Sequence, residues 1–569
     1  MKALAFIVIQ LFSLIFSQYN LSGSYVSSYG NSVNNFNFFE NRFNLNADWR
    51  NWTAWMELEH SNPPELGKSI MGLRKLRFEY HSDDFTMKIG DVYEYWGNGL
   101  VFNMLDDQSI DMDTGIRGGL LSYSPGVVSA EYLIGTQKTW LSTNQAPDFS
   151  DRVSNYETHY DLQAGKLSLM LTNNSFDFFI LNVRDNHFIP IKNQYIAIKD
   201  LFFGQSFAHR FRNFEIDYHY VSKTKNKGSA FNLNSYLFLG DFSFSFSFKD
   251  YRFNKLSPFD RFDFVNNPGG VYFFQQMPTA NKSHSSLYLG RVTHQIDYND
   301  EIGFNFAIER TYAQNGTILF NYAQSSRHNE WVVDLRSNPN FLWSMNDQTS
   351  TSNTHWSFSP YNEWYFEVSG YNESSLFYQI AMARTMDVTD IFTNEFSQEG
   401  HSYSYAKTES FTIPLSFSYQ LTTQNSFNLQ LEYQQIKKGI INRNATIDKT
   451  KDVFGSSFVD DFQINSFMSI GYSKSPDWSI SLDIDNASTE DIMVIENKKD
   501  SNFIEDILNP LFDKSLTWAN INYSRNFFNS TLVSFSYGSQ RAGVYCSNGV
   551  CRNVQAFEKG IKFDITTTF

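Results

Sequence analysis

The chain has 569 residues, 45 Lys+Arg against 60 Asp+Glu, a net charge of -15 and only 41% hydrophobic residues. These values exclude a helical membrane protein and argue against nucleic-acid binding through a basic surface; two cysteines exclude a disulfide scaffold and a thiolate-rich metal site. With 56 Phe and 32 Tyr the chain is too aromatic to be disordered, so its architecture takes about every second residue out of water.

Lys2 is followed by an apolar run from Ala3 to Phe16, and Ser17 offers a small residue before Gln18. A short charged start, an apolar core and a small-residue exit read as a signal peptide over residues 1–17. A membrane-anchoring helix is the alternative, but the run is shorter than the ~18–20 apolar residues a span needs. The mature chain is expected to begin at residue 18 and to lack a transmembrane helix.

From there the dominant pattern is alternation. Tyr19, Leu21, Gly23 and Tyr25 alternate with Asn20, Ser22 and Ser24, and Phe43, Leu45 and Ala47 with Asn44, Asn46 and Asp48. Phe242, Phe244, Phe246 and Phe248 alternate with serines, and Ile302, Phe304, Phe306 and Ile308 with Gly303, Asn305 and Ala307. Further apolar faces follow at Ile413–Tyr419, Phe427–Tyr433 and Trp478–Ile484. Successive strand side chains point to opposite faces, so each run is a strand with one greasy and one small polar face. Turn-forming clusters such as Ser61-Asn62-Pro63-Pro64 and Asn266-Asn267-Pro268-Gly269-Gly270 separate them.

A string of β-sandwiches would bury the apolar faces between sheets; a transmembrane β-barrel would turn them to lipid and the polar faces to a lumen. The final strand favours the barrel. Ile561, Phe563, Ile565 and the terminal Phe569 share one face, and an amphipathic last strand ending in Phe looks like the signal that outer-membrane barrels present to their insertion machinery. The fold class expected is all-β: one antiparallel transmembrane barrel over residues 18–569. At roughly 20–25 residues per strand with its loops, it would have about 22–26 strands. Its partners would be outer-membrane lipid and lipopolysaccharide, the insertion machinery, and periplasmic or surface proteins.

So wide a barrel encloses a lumen that its wall side chains cannot fill. No plug-sized segment precedes the first strands, so internal loops or partner proteins are expected to narrow the pore. The candidate is the segment 89–119. It carries Asp91, Tyr93, Glu94, Tyr95 and Trp96, then Gly97 and Gly99, then Asp106, Asp107, Asp111 and Asp113 before Arg117. Such a stretch either folds inward as a constriction of acids and rings, suited to polar solutes or glycans, or ends a strand in a tight turn that only anchors the wall. Tight glycine-containing turns are the commoner of the two.

The motif Gly90-Asp91-x-Tyr93-x-x-x-Gly97-x-Gly99-Leu100, followed by Ile110-Asp111-Met112-Asp113-x-x-Ile116-Arg117-Gly118, resembles a group of large Bacteroidetes-type outer-membrane barrels of unassigned function. Gln540-Arg541-Ala542-Gly543 and Cys546-Ser547-Asn548-Gly549-Val550-Cys551-Arg552 extend the likeness to the far end. The resemblance implies location and architecture, and no activity.

Cys546 and Cys551, close together in an exported chain, read as a disulfide in the last hairpin; without nearby His they make a poor metal site. Asp111-Met112-Asp113 and Asp483-Ile484-Asp485-Asn486 lack the spacing of a calcium loop. His60-Ser61-Asn62, His81-Ser82 and His401-Ser402 are neighbours of the kind chance produces, and no nucleophile motif occurs, so neither enzyme activity nor a cofactor is expected. The expected function is a channel or transporter for polar solutes, selected by the 90–118 segment. A structural or assembly partner of a surface or secretion apparatus is the alternative.

Overall fold

The computed structural model describes residues 20–569 apart from 34–36, 66, 68, 108–111, 142–155, 190–193, 225–227, 254–271, 295, 313–314, 335–341, 373–374, 393–402, 444–462, 489–500, 512–514, 529, 548–549 and 555. The leader expected over 1–17 lies outside these residues. Among them, no helix is long and apolar enough to cross a membrane.

Twenty-four strands form one antiparallel sheet, within the 22–26 expected. Their lengths run from eight residues (Phe85–Val92) to nineteen (Asn425–Arg443). Neighbours in sequence are neighbours in the sheet, and the first strand (Asn20–Ser32) pairs with the last (Phe557–Thr568) in the register Ser24↔Thr568 to Ser32↔Gly560. The sheet therefore closes on itself, so no edge is left to seek a partner.

Alternation decides which face goes where. Phe242, Phe244 and Phe246 lie opposite Arg310, Ile308 and Phe306 on the next strand, and Phe178, Ile180, Phe203 and Ile134 are among many large apolar side chains left exposed. These cover the outside of the barrel, and the serines and asparagines between them line the inside. The two barrel ends differ. At the end carrying Asn20 and Phe569, strands are joined by tight turns such as Trp49-Arg50-Asn51-Trp52 and Phe211-Arg212-Asn213-Phe214, with Arg50 and Arg212 left-handed at their first turn positions. The long excursions, 93–115, 253–300 and 327–360, all leave from the other end.

The closing seam explains the terminal phenylalanine. Its N–H donates to Gly23 O at 3.0 Å, and its carbonyl accepts from Gly23 N at 2.9 Å. Its ring stacks on Phe43 with centroids 5.9 Å apart. A Cβ on Gly23 would strike both that ring and the Asn44 carbonyl, so this glycine makes the ring's seat. Phe563 lies on the same outer face, between Tyr29 and Phe535. Gly23→Val and Phe569→Ala should each reduce the fraction of heat-modifiable, membrane-inserted barrel on gels; overpacking of this kind typically costs about 1–3 kcal/mol. Wild-type levels for both would remove the seam from the insertion step.

Candidate functional site

The lumen at the loop end is occupied by two inward segments of the chain. One is the stretch 93–115; the other, which the sequence did not single out, is 272–300. Together they explain why part of the lumen wall is apolar.

In strand Asn174–Ile189, Phe178 and Ile180 face outward while Phe179, Leu181 and Val183 are buried on the opposite face. Tyr160, Leu162, Phe202, Val221 and Tyr251 are buried with them, around Trp96, Leu100, Phe102, Tyr272, Phe274 and Met277 of the inward segments. The polar lumen expected from alternation thus fails in this sector, because the wall needs a second apolar face where the inward segments pack. A signal was present: Phe178-Phe179-Ile180-Leu181 is a continuous apolar run, as a strand buried on both sides requires.

The turn Gly97-Asn98-Gly99 shapes the first segment. All three residues are left-handed, with φ of 61°, 52° and 82°, and a Cβ on Gly99 would collide with the Gln276 carbonyl. The two segments are then joined by Asn103 N–H to Phe274 O at 2.9 Å and Gln275 Nε2 to Leu100 O at 2.7 Å. Trp96 is fully enclosed, 5.1 Å from Phe102 and 6.4 Å from Phe179 between ring centroids. Tyr95 remains exposed and donates to Asn98.

The acids of this segment meet cations of the wall. Arg74 and Lys75, from strand Met71–His81, lie side by side at a register shift. Lys75 pairs with Asp106, and with Asp113 at 3.2 Å. Arg74 reaches Glu59 at 2.5 Å, Glu57 at 3.4 Å and Asp106 at 3.6 Å. The Tyr93 hydroxyl donates to Asp113 at 2.9 Å, and burial together with that carboxylate raises its pKa. Glu94 pairs with Lys88 at 2.8 Å, and Asp107 sits opposite Met112 in the short hairpin that joins 106–107 to 112–113. Asp111 lies outside the described residues.

Asp91 and Arg117 are placed differently. They are direct cross-strand partners, and Arg117 lies on the opposite face of its strand from the buried Ile116 and Leu120, with its side chain 64% exposed. Asp91 accepts from Arg117 at 3.0 Å and from Leu76 N–H at 2.7 Å, while Arg117 also donates to Arg74 O at 3.0 Å. The pair bonds strand 71–81 where its ladder with 85–92 stops at Arg77↔Gly90.

The second segment crosses the lumen. On one side the Tyr272 hydroxyl donates to Asp200 at 2.6 Å, Tyr251 OH to Pro278 O at 2.7 Å and Lys249 Nζ to Thr279 O at 2.6 Å. On the other, His284 meets Glu363 at 2.9 Å. A short helix, Leu287–Arg291, is capped by Ser286, and the wall carboxylate of Glu432 accepts its first two N–H groups at 2.8 and 2.9 Å. Asp485 accepts from the Tyr288 hydroxyl at 2.7 Å and from Arg291 at 2.8 Å, so this residue of a faint calcium-like run is a wall anchor. His294 Nδ1 meets Asp387 at 2.9 Å, and its Nε2 lies 3.2 Å from both Glu301 and Ser325 Oγ. Serine, histidine and aspartate here have the spacing of a hydrolytic triad, but Glu301 shares Nε2, Tyr361 stacks on the ring at 4.4 Å, and Ser325 is buried.

Toward the other barrel end the lumen face mixes hydroxyls and amides with charged groups such as Asp483, Asp217, Glu131 and Lys166. Around Gly471 a recess of about 250 Å³ is lined by Ser416, Gln430, Ser469, Ser473, Ser479 and Ser481.

A closed antiparallel barrel with an apolar outer band is built for lipid, and such barrels reside in the bacterial outer membrane. This protein is an outer-membrane β-barrel. Over residues 27–569 its sequence matches a family of unknown function, DUF6029. The chain belongs to that family. No curated protein matches it. Among solved structures, the siderophore receptor PirA from Pseudomonas aeruginosa aligns with 97% of this chain and 80% of its own, at 7% identity and a TM-score of 0.43. The P pilus usher (PapC) translocation pore aligns with 96% and 99%, at 8% and 0.42, and OccK3 (OpdO) from P. aeruginosa with 75% and 96%, at 10% and 0.34.

Replacing Lys75 with Met should leave Asp106 and Asp113 short of their buried cation. An unfolding titration of the barrel in lipid vesicles should register a loss of about 3 kcal/mol. An unchanged midpoint would mean that Arg74 alone holds the hairpin.

Proposed function

We propose that this barrel is a gated outer-membrane conduit for polar solutes, closed at its loop end by the segments 93–115 and 272–300. The observation that carries the reading is how 272–300 is held. Where it crosses toward strands 361–371, 376–392, 425–443 and 478–488, it is bonded by side-chain hydrogen bonds and ion pairs to Glu363, Asp387, Glu432 and Asp485. Among its described residues it shares no strand ladder with the wall. Contacts of that kind can be exchanged for water without breaking the barrel, because the backbone of the wall is satisfied by the wall itself.

The hydroxyl- and amide-lined recess around Gly471 suits polar solutes, glycans among them, since serine and glutamine side chains exchange hydrogen bonds with hydroxyl groups. The acids Asp106 and Asp113, balanced by Arg74 and Lys75, hold the first segment in place and set the charge of the narrowed mouth. Tyr95, exposed near Asp217 and bonded to Asn98, is the ring available to a passing solute.

Export through a cleaved leader over residues 1–17, and recognition of the strand ending in Phe569 by the insertion machinery, complete the reading. A Cys546–Cys551 disulfide belongs to it too. The side chains of both lie outside the described residues, but the backbone sets the two positions directly opposite each other in the hairpin Gly543–Ser547/Val550–Val554, a separation that a disulfide can span.

In planar bilayers the intact protein should conduct weakly or intermittently. A variant in which residues 272–294 are replaced by a short glycine-serine linker should show large, steady steps. Equal silence from both, with the barrel shown to be inserted, would sink the conduit and favour a structural role. For the cysteines, intact mass with and without reductant decides: no change on reduction would mean two free thiols.

A further inference from the structure

Two buried histidines lie at the base of the crossing segment. In His328, Nδ1 lies 2.9 Å from Asp300, while Nε2, 3.1 Å from Asp250, accepts from Arg252 Nε at 3.1 Å, so a neutral ring is satisfied there. His294 differs: its Nδ1 lies 2.9 Å from Asp387 and its Nε2 lies 3.2 Å from Glu301. A neutral imidazole has one donor and one acceptor nitrogen, so one nitrogen would turn a lone pair toward a carboxylate oxygen. Only the imidazolium, with two N–H donors, donates to both carboxylates at once.

Glu301 is shared with Lys249, and the other groups against the His294 ring are neutral: Tyr361 stacks on it, and Ser325 Oγ lies 3.2 Å from its Nε2.

The position matters as much as the charge. Asp297, Asp300 and His294 belong to the end of the crossing segment, whereas Asp250, Glu301 and Asp387 belong to the wall strands Phe242–Arg252, Glu301–Tyr312 and Leu376–Phe392. We propose that His294 is an imidazolium staple that holds the crossing segment in the lumen, and that loss of its proton releases it. The idea rests on the reading of 272–300 as the gate, and names what regulates that gate.

Burial alone favours the neutral ring, but Glu301 and Asp387 outweigh it at His294, so it titrates above the ordinary histidine value. A group with a raised pKa in the folded state contributes its full stabilisation below the unfolded value and loses it as pH rises through the folded one. The gate should thus be shut in mildly acidic and neutral surroundings and loosen toward alkaline pH.

The test is hydrogen exchange of peptides from 272–300 in the full-length barrel in micelles, at about pH 6 and about pH 9, corrected for the chemical exchange rate, with single-channel recording in parallel. Protection in the wild type should fall severalfold at the higher pH, because the ion pairs of the imidazolium are lost there. His294→Gln should show low protection at both pH values. Asp387→Asn should keep protection at the higher pH, because a neutral imidazole then donates to Glu301 and accepts from the new amide; heat-modifiability on gels confirms that each variant is a barrel. Equal wild-type protection at both pH values, or a titration in His294→Gln like that of the wild type, overturns the staple. The conduit reading fails separately. Silent bilayers with pH-dependent protection would remove conduction and leave the staple standing, whereas conduction with pH-independent protection would remove the staple alone.

Discussion

The interaction on which the whole structure depends is the hydrogen bonding of the first strand to the last. Inside a bilayer there is no water to satisfy a sheet edge, so a spanning β-structure must bond its two ends together. Here that joint runs from Ser24↔Thr568 to Ser32↔Gly560, and Phe569 extends it by bonding to Gly23 in both directions. The missing side chain at Gly23 and the ring of Phe569 are two halves of one fitted contact. Once it is made, the wall has no open edge, and Asn20 and Phe569 both lie at the short-turn end.

Closure with 24 strands creates the second problem, a lumen wider than its own side chains can fill. The chain fills the loop end with itself, in two chemically different ways. Between strands Ile116–Tyr123 and Phe242–Arg252 the filling is an apolar core around Trp96, Phe102 and Phe274, the kind of packing that holds a domain together. Across from it, strands from Tyr361–Tyr371 to Trp478–Ser488 meet the crossing segment through carboxylates that bind histidine, arginine, tyrosine or a helix start. The first contact is an anchor, because apolar surface has nothing to gain from release into water. The second is exchangeable with water or protons. A segment packed by apolar side chains at one side and held by ionisable groups at the other is the basis of the proposed gate.

Glycine and charge act at the few points where this construction would otherwise fail. Gly99 lets the first inward segment approach the Gln276 carbonyl closely enough for the two segments to bond. Arg74 and Lys75 bring two cations into the lumen at one bulge and meet the acids of 106 and 113 there. Asp91 and Arg117, read in sequence as part of the same acidic stretch, instead continue the wall with side chains where a strand ladder runs out.

The sequence by itself determined the barrel. Alternation in runs such as Phe242–Phe248 is a local property, set by the two-residue repeat of a strand between lipid and lumen, so it can be read without knowing any neighbour. The terminal Phe569 and the approximate strand count follow from the same repeat. The inward course of the segment after Gly90 was legible as one of two possibilities, through its glycines and acids. Only the tertiary structure packed Trp96 against Phe102 and Phe179, paired Asp106 and Asp113 with Lys75, and turned Arg117 to the opposite face of its strand. It alone revealed 272–300, because a segment that crosses a lumen meets a different wall strand every few residues and has no period to betray it. The partners of His294 and His328 come from positions scattered from Asp250 to Asp387, and it is barrel closure, not proximity in sequence, that brings them together.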